Sequence, residues 1–308
     1  MWQKAWLLEV IKRGKEMIYE FDSKENMMIL DEVENFNVEH IFDCGQCFRW
    51  RKEDDGSYTG VAYNKVINVK NEGNRVEIRN TNIQDFKNIW YNYFDLNRDY
   101  DKIKEHICKD DIMKKAIEFG SGLRILKQDP KEVLMSYIIS ANNNIPRIMG
   151  SIDSLSKKLG RKLIYKDKEY YTFPTLKKIS NASIELLKDT KIGFRARYVK
   201  DTAKDELESN FLNHASDYDT EVARKILQKY VGVGEKVADC TLLFSGIKQD
   251  VFPTDVWVKR IIEELYIGRE ATLKEIQQFA KDYFGEYAGF AQQYLFYYAR
   301  ENKIGTKK

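Results

Sequence analysis

Proline is scarce in this sequence, at 4 of 308 residues, and 17 glycines without a fixed period exclude collagenous or low-complexity architecture. Only 4 cysteines occur (Cys44, Cys47, Cys108, Cys240), too few and too irregularly spaced for a disulfide scaffold, which points to a reducing, intracellular setting. Histidine is rarer still, and His40, His106 and His214 show no paired ligand spacing. No uncharged apolar run reaches the ~18 residues a membrane helix needs. Charge of one sign is also missing in excess: 51 Lys+Arg against 48 Asp+Glu leave +3, so no global polycation announces a nucleic-acid partner. What is abundant is core-forming material, with 43% hydrophobic and 13% aromatic residues, enough for one large globular domain or two ordinary ones.

Residues 1–16 carry Trp2, Ala5, Trp6, Leu7, Leu8, Val10 and Ile11 at helical spacing and read as an N-terminal extension, since Met17 serves equally well as a start. From Cys47 to Arg79, runs at 48–51, 58–63, 66–70 and 75–79 alternate with Asp-Gly and Glu-Gly turns, predicting an antiparallel meander. Helical spacing takes over after Asn82. The strongest stretches are 101–108, 111–119, 130–141, 145–159, 183–187, 220–229, 235–245, 256–266, 272–283 and 288–300. The expected fold class is α+β: a β-rich unit at 17–130, a boundary near Pro130, and an all-α unit at 131–308 ending in a solvated basic tail.

Cys44-Gly45-Gln46-Cys47 invites a zinc or redox reading, but no second ligand pair exists and the motif enters a strand rather than leading a helix. A turn in which Gly45 supplies backbone freedom is the plainer account. The segment Gln228 to Cys240 is more informative. A helix ends at Gly232-Val233-Gly234 and a second begins at once, which leaves its first N–H groups unpaired and open to a phosphate. An ordinary helical hairpin would look the same.

Lys236 lies one turn into the second helix, with Cys240 four residues later on the same face. It could simply be solvated and paired with Asp239. Yet the positive end of the helix disfavours an ammonium, and a neutral amine is what nucleophilic catalysis requires. With an ordinary lysine pKa of ~10.4, only about one in a few thousand is neutral at pH 7. Asp255, after Phe252-Pro253-Thr254, opens a further helix as its N-cap, and a carboxylate there also suits stabilisation of positive charge on a sugar.

Together, Gly232-Val233-Gly234, Lys236 and Pro253 to Asp255 resemble the helix-hairpin-helix DNA glycosylases. Gly45-Gln46-Cys47-Phe48-Arg49-Trp50, Asn142-Asn143-Asn144-Ile145-Pro146-Arg147, Gly193-Phe194-Arg195-Ala196-Arg197-Tyr198 and Tyr287 to Gln292 narrow this to the 8-oxoguanine DNA glycosylase family, over about Phe36 to Arg300. The resemblance implies a repair enzyme, monomeric, acting on double-stranded DNA containing 8-oxoguanine. Lys236 would attack the anomeric carbon of a flipped nucleotide, release the base and nick the strand by β-elimination, assisted by Asp255. The Gly45 carbonyl would accept the N7 hydrogen that guanine lacks. Cys240 and Phe296 would sandwich the base, and Gln292 would bind its Watson-Crick edge. Asn142 would fill the vacated gap, Arg147 and Arg195 would read the opposite cytosine, and the amides around Gly232 and Gly234 would grip phosphate. The implied cofactor requirement is none for catalysis and no iron-sulfur cluster, with a structural cation on the carbonyls of Gln228, Tyr230 and Val233.

The chain departs from the better-known members at three points. Phe194 stands where they carry tyrosine, Trp257 where they carry histidine, and Pro146 falls inside the asparagine-arginine segment. These departures lead to an expectation of weaker preference for cytosine opposite the lesion. Two rival readings are a monofunctional glycosylase for another damaged base, against which Lys236 argues, and a non-catalytic helix-hairpin-helix DNA-binding protein.

Overall fold

The computed structural model describes residues 18–304, and the extension at 1–16 lies outside them. The N-terminal part is a six-stranded antiparallel sheet in the order β1-β2-β6-β5-β4-β3, from β1 (Ile18–Asp22), β2 (Met27–Asp31), β3 (Trp50–Lys52), β4 (Tyr58–Ala62), β5 (Lys65–Glu72) and β6 (Arg75–Arg79). The meander β3 to β6 follows the predicted runs within one or two residues. Strands β1 and β2 were not anticipated. β2 lies between β1 and β6, its central residues Met28, Ile29 and Leu30 are all buried, and it therefore shows no alternation to read. One glycine of the sheet has a packing reason. Gly60 pairs with Trp50, and a Cβ there would lie 2.3 Å from the indole, so only glycine lets the ring lie flat across β4.

Helices dominate from Tyr100 onward, and most of the predicted ones form with similar limits. Two corrections apply. Residues 131–308 are not all-α, because β7 (Lys162–Tyr165) and β8 (Lys168–Tyr171) form a hairpin. Its turn residues Lys166 and Asp167 both have positive φ (47° and 59°), the conformation usually advertised by Asn-Gly, so the sequence carried no turn signal. The helices Leu176–Asn181 and Arg195–Ser209 were also missed, the longer one because its buried face is furnished by Ala196, Val199, Thr202, Ala203 and Glu206 rather than by large apolar residues.

Two hydrophobic cores result. One gathers Trp50, Tyr58, Trp90 and Phe94 beneath the sheet; the other gathers Leu134, Ile138, Leu242 and Tyr294 among the helices, together with Ile103, Ile107 and Met113 from before Pro130. The segment Cys44 to Trp50 runs along their seam. Cys44 and Phe48 belong to the helical core, whereas Cys47 and Trp50 belong to the sheet core. Between them Gln46 is fully buried, donating through Nε2 to the carbonyls of Ile41 and Arg124 and accepting the Leu126 N–H at Oε1, each at 2.8 Å. This clamps the backbone on which Gly45 sits.

Candidate active site

The hairpin joining Thr220–Leu227 to Glu235–Phe244 is held from both sides. Gly232 has φ +81°, and a Cβ would meet the Tyr198 side chain at 2.8 Å. The Tyr230 hydroxyl donates to Glu206 at 2.7 Å, and Thr202 donates to the Val231 carbonyl at 2.9 Å. Gly234 caps the second helix, is exposed, and has nothing within 4 Å of its Cβ position, so the first turn stays open to a ligand.

Lys236 and Cys240, on one face of that helix, line a cleft of about 330 Å³ together with Gly45, Asp255, Gln292 and Phe296. Six residues scattered over some 250 positions thus converge. Asp239 is not the partner of Lys236. It is fully buried and bonded to the Arg224 guanidinium at 2.6 Å, tying the two hairpin helices together, and burial still raises its carboxyl to about 6 against the pull of Arg224. Lys236 Nζ instead donates to Ser140 Oγ at 3.2 Å and sits 4.9 Å from the centre of the Tyr137 ring.

Asp255 caps Val256–Ile262 through one oxygen, Oδ1, which accepts the N–H groups of Trp257 and Val258 at 2.9 Å each. Gly45 has φ +87°, and any Cβ would press on Phe296 at 3.0 Å, so a side chain would strain the backbone and crowd the cleft. Its carbonyl accepts the Tyr137 hydroxyl at 3.3 Å. The adjacent glutamines divide their roles. Gln293 donates to the Cys44 carbonyl at 2.7 Å, whereas Gln292 lines the cleft, 4% exposed, with Oε1 unpartnered. A native structure rarely leaves a buried amide oxygen unpaired without a purpose.

The cysteines of this region are thiols. Burial pushes Cys240 up to about 12 and Cys44 to about 11, and Cys47 also rises. Cys44 Sγ lies 3.2 Å from the Ile41 carbonyl, and the two thiols of the Cys-x-x-Cys motif pack into different cores. Among the described residues no group of three or more His, Cys, Asp and Glu is placed to hold a metal. The carbonyls of Gln228, Tyr230 and Val233, expected to hold a cation, would offer it oxygen donors, the kind a hard cation takes. Of these, Tyr230 already accepts the Val233 N–H at 3.1 Å, which leaves it one lone pair.

Beyond the cleft, Asn142 is exposed in a left-handed conformation (φ +50°), and Asn144 caps Ile145–Leu159 by accepting the Arg147 N–H at 3.0 Å. Pro146 falls in that first turn, where the lost N–H had no partner to lose. Arg147 is exposed. Arg195 is not: at 7% exposure its guanidinium donates to the carbonyls of Ala141 (2.8 Å) and Asn142 (2.9 Å) and lies 4.4 Å from the Phe194 ring, itself 59% exposed. Sequence reasoning overlooked Tyr137 and Ser140. Both sit in Pro130–Ser140, a helix buried nearly all round, and the only clue was three hydroxyls, those of Ser136, Tyr137 and Ser140, in an otherwise apolar run.

Residues 28–134 match the family model of the 8-oxoguanine DNA glycosylase N-terminal domain, and residues 135–286 match that of the HhH-GPD superfamily base excision DNA repair proteins. A "Probable N-glycosylase/DNA lyase" of Methanothermobacter thermautotrophicus is 30% identical over 68% of this chain and 74% of its own. The N-glycosylase/DNA lyase OGG1 of Arabidopsis thaliana is 29% identical over 83% and 75%. Among solved structures, the Clostridium acetobutylicum 8-oxoguanine glycosylase/lyase, in complex with double-stranded DNA containing cytosine opposite 8-oxoguanine, superimposes with a TM-score of 0.90 at 46% identity, covering 93% of this chain and 98% of that one.

Proposed function

The chain belongs to the 8-oxoguanine DNA glycosylase family, and from that membership we propose that it is a bifunctional glycosylase and abasic-site lyase for 8-oxoguanine in duplex DNA. The observation that carries the proposal is the single cleft in which an amine, a carboxylate, a glycine carbonyl, an unpartnered buried amide and an aromatic ring meet. No lysine reaches an anomeric carbon inside stacked DNA, so the nucleotide is extruded into this cleft. The Lys236 amine, once neutral, bonds to C1′. The electron pair of the glycosidic bond leaves with the base, which takes up a proton, while Asp255 stabilises the positive charge that develops on the sugar. Loss of the amine's proton and opening of the sugar ring give a Schiff base; removal of a C2′ proton then expels the 3′ phosphate.

The base lies between Cys240 and Phe296, with Gln292 on its Watson-Crick edge and the N7 hydrogen on the Gly45 carbonyl. Asn142 fills the gap in the duplex and Arg147 reads the opposite base. Arg195 joins it by exchanging its bonds to Ala141 and Asn142 for bonds to that base. The amides around Gly232 and Gly234 hold phosphate, and a cation on the carbonyls of Gln228, Tyr230 and Val233 would add positive charge there. The protein works as a monomer inside the cell, with a β-rich domain at 17–130 and a glycosylase domain at 131–308. No helix among the described residues is long and apolar enough to cross a membrane.

Borohydride trapping on an 8-oxoguanine duplex tests the reading. A covalent adduct is expected with the unsubstituted protein and none with Lys236→Gln. A protein that binds the duplex and never traps would overturn it.

A further inference from the structure

The Gly45 carbonyl, proposed above as the group that tells 8-oxoguanine from guanine, already has a donor before any base arrives. The Tyr137 hydroxyl reaches two acceptors, the carbonyls of Gly45 at 3.3 Å and Gln46 at 3.4 Å. The second already accepts Gln128 Nε2 at 2.8 Å, which makes Gly45 both the nearer and the less satisfied acceptor for the phenolic hydrogen. The phenol is fixed there. Its ring stacks on Phe244 at 5.4 Å and meets Phe48 edge-on at 5.4 Å. Burial holds its acidity far below that of a free tyrosine, so it keeps the proton.

The bond is not needed to position the carbonyl. Three hydrogen bonds to the Gln46 side chain and the Gln293 bond to the Cys44 carbonyl already do that. What the hydroxyl supplies is satisfaction of one lone pair. A carbonyl has two, so the lesion's N7 hydrogen can still be accepted. Guanine, however, no longer leaves a buried acceptor wholly unpaired, which removes part of the penalty against it.

We infer that Tyr137 is a specificity-determining residue whose hydroxyl, by occupying the Gly45 carbonyl in advance, lowers the discrimination between 8-oxoguanine and guanine. This rests on the function proposed above.

The test measures binding of Lys236→Gln, and of the same protein carrying Tyr137→Phe, to duplexes that differ only in 8-oxoguanine or guanine at one site opposite cytosine. Phenylalanine keeps every ring contact, and the cost of extruding each base cancels between the two proteins. The ratio of the two dissociation constants is expected to rise about fivefold or more on Tyr137→Phe. A ratio that stays level or falls, including a uniform weakening on both duplexes as a merely structural role would produce, overturns the inference. If Lys236→Gln itself binds both duplexes alike, the functional reading is what fails.

Discussion

Asp255→Asn separates the two duties of the carboxylate because of how its hydrogen bonds are distributed. Both cap bonds fall on Oδ1, at 2.9 Å each. An amide oxygen can take that place, and asparagine and aspartate rank alike as N-caps. What the fold loses is the favourable charge at a helix N-terminus, about 0.3 to 1 kcal/mol. Removing a preorganised charge aimed at a developing one costs roughly 3 to 4 kcal/mol in the transition state, or about 10² to 10³ in rate. Excision should therefore collapse while the fold stays nearly intact. Asp255→Ala should lose the same rate and a further ~1 kcal/mol of stability, because it also removes the cap. Single-turnover excision on an 8-oxoguanine·cytosine duplex, alongside urea unfolding, measures both quantities. Excision by Asp255→Asn within threefold of the unsubstituted protein would refute the electrostatic role.

Asp239→Ala should cost about 1 to 3 kcal/mol in urea unfolding by leaving the buried Arg224 Nε–H without its acceptor, while Glu221 still holds Nη1. Borohydride trapping at low temperature should survive, because Asp239 does not touch Lys236; an unchanged midpoint would show the pair to be idle. Burial raises the Glu132 carboxyl to about 7 against the opposing Arg49, so the folded chain keeps a proton that the unfolded chain releases above about 4.5. That stability is present below 4.5 and is lost as pH rises towards 7, by up to roughly 3 kcal/mol. Asp239 titrates in the same sense, so thermal unfolding should come at higher temperature at pH 5 than at pH 8, and Glu132→Gln should flatten the dependence; a flat profile in the unsubstituted protein would contradict this. Arg147→Ala should reduce excision opposite cytosine more than opposite adenine, with stability nearly unchanged at so exposed a site; equal losses opposite all four bases would exclude it as a reader. With Phe194 and Trp257 in place of tyrosine and histidine, single-turnover rates opposite cytosine and adenine should be comparable, an expectation that a hundredfold preference for cytosine would refute.

Much of this protein was legible in the sequence because the information was local. Helix limits such as Ile145–Leu159 and Asp111–Phe119 follow from caps and apolar spacing within one turn. Lys236 and Cys240 had to share a face because they are four residues apart on a helix, and the turn at Gly45, read as needing backbone freedom, takes it up as a φ of +87°. The family motifs named Gly45, Lys236, Cys240, Asp255, Gln292 and Phe296 before any geometry was available, but not Tyr137, which lines the same cleft. Where buried faces lacked alternation or turns lacked glycine, as in β2, the β7–β8 hairpin and Arg195–Ser209, the local signal was silent and the elements went unread.

Only the tertiary structure could decide partnerships. Asp239, three residues from Lys236, is claimed by Arg224 across the hairpin, while Lys236 rests on Tyr137 and Ser140 from a helix a hundred residues earlier. Gln292 and Gln293 are chemically identical, and burial geometry alone makes one a brace and leaves the other unpaired in the cleft. Arg195, which the sequence places as a base reader, folds inward onto the carbonyls of Ala141, Asn142 and Ile192 in the absence of DNA. Periodicity assigns a residue to a face. Which group waits on the other side of that face depends on how distant segments pack, and that is where a lysine, a glycine carbonyl and a tyrosine hydroxyl become one site.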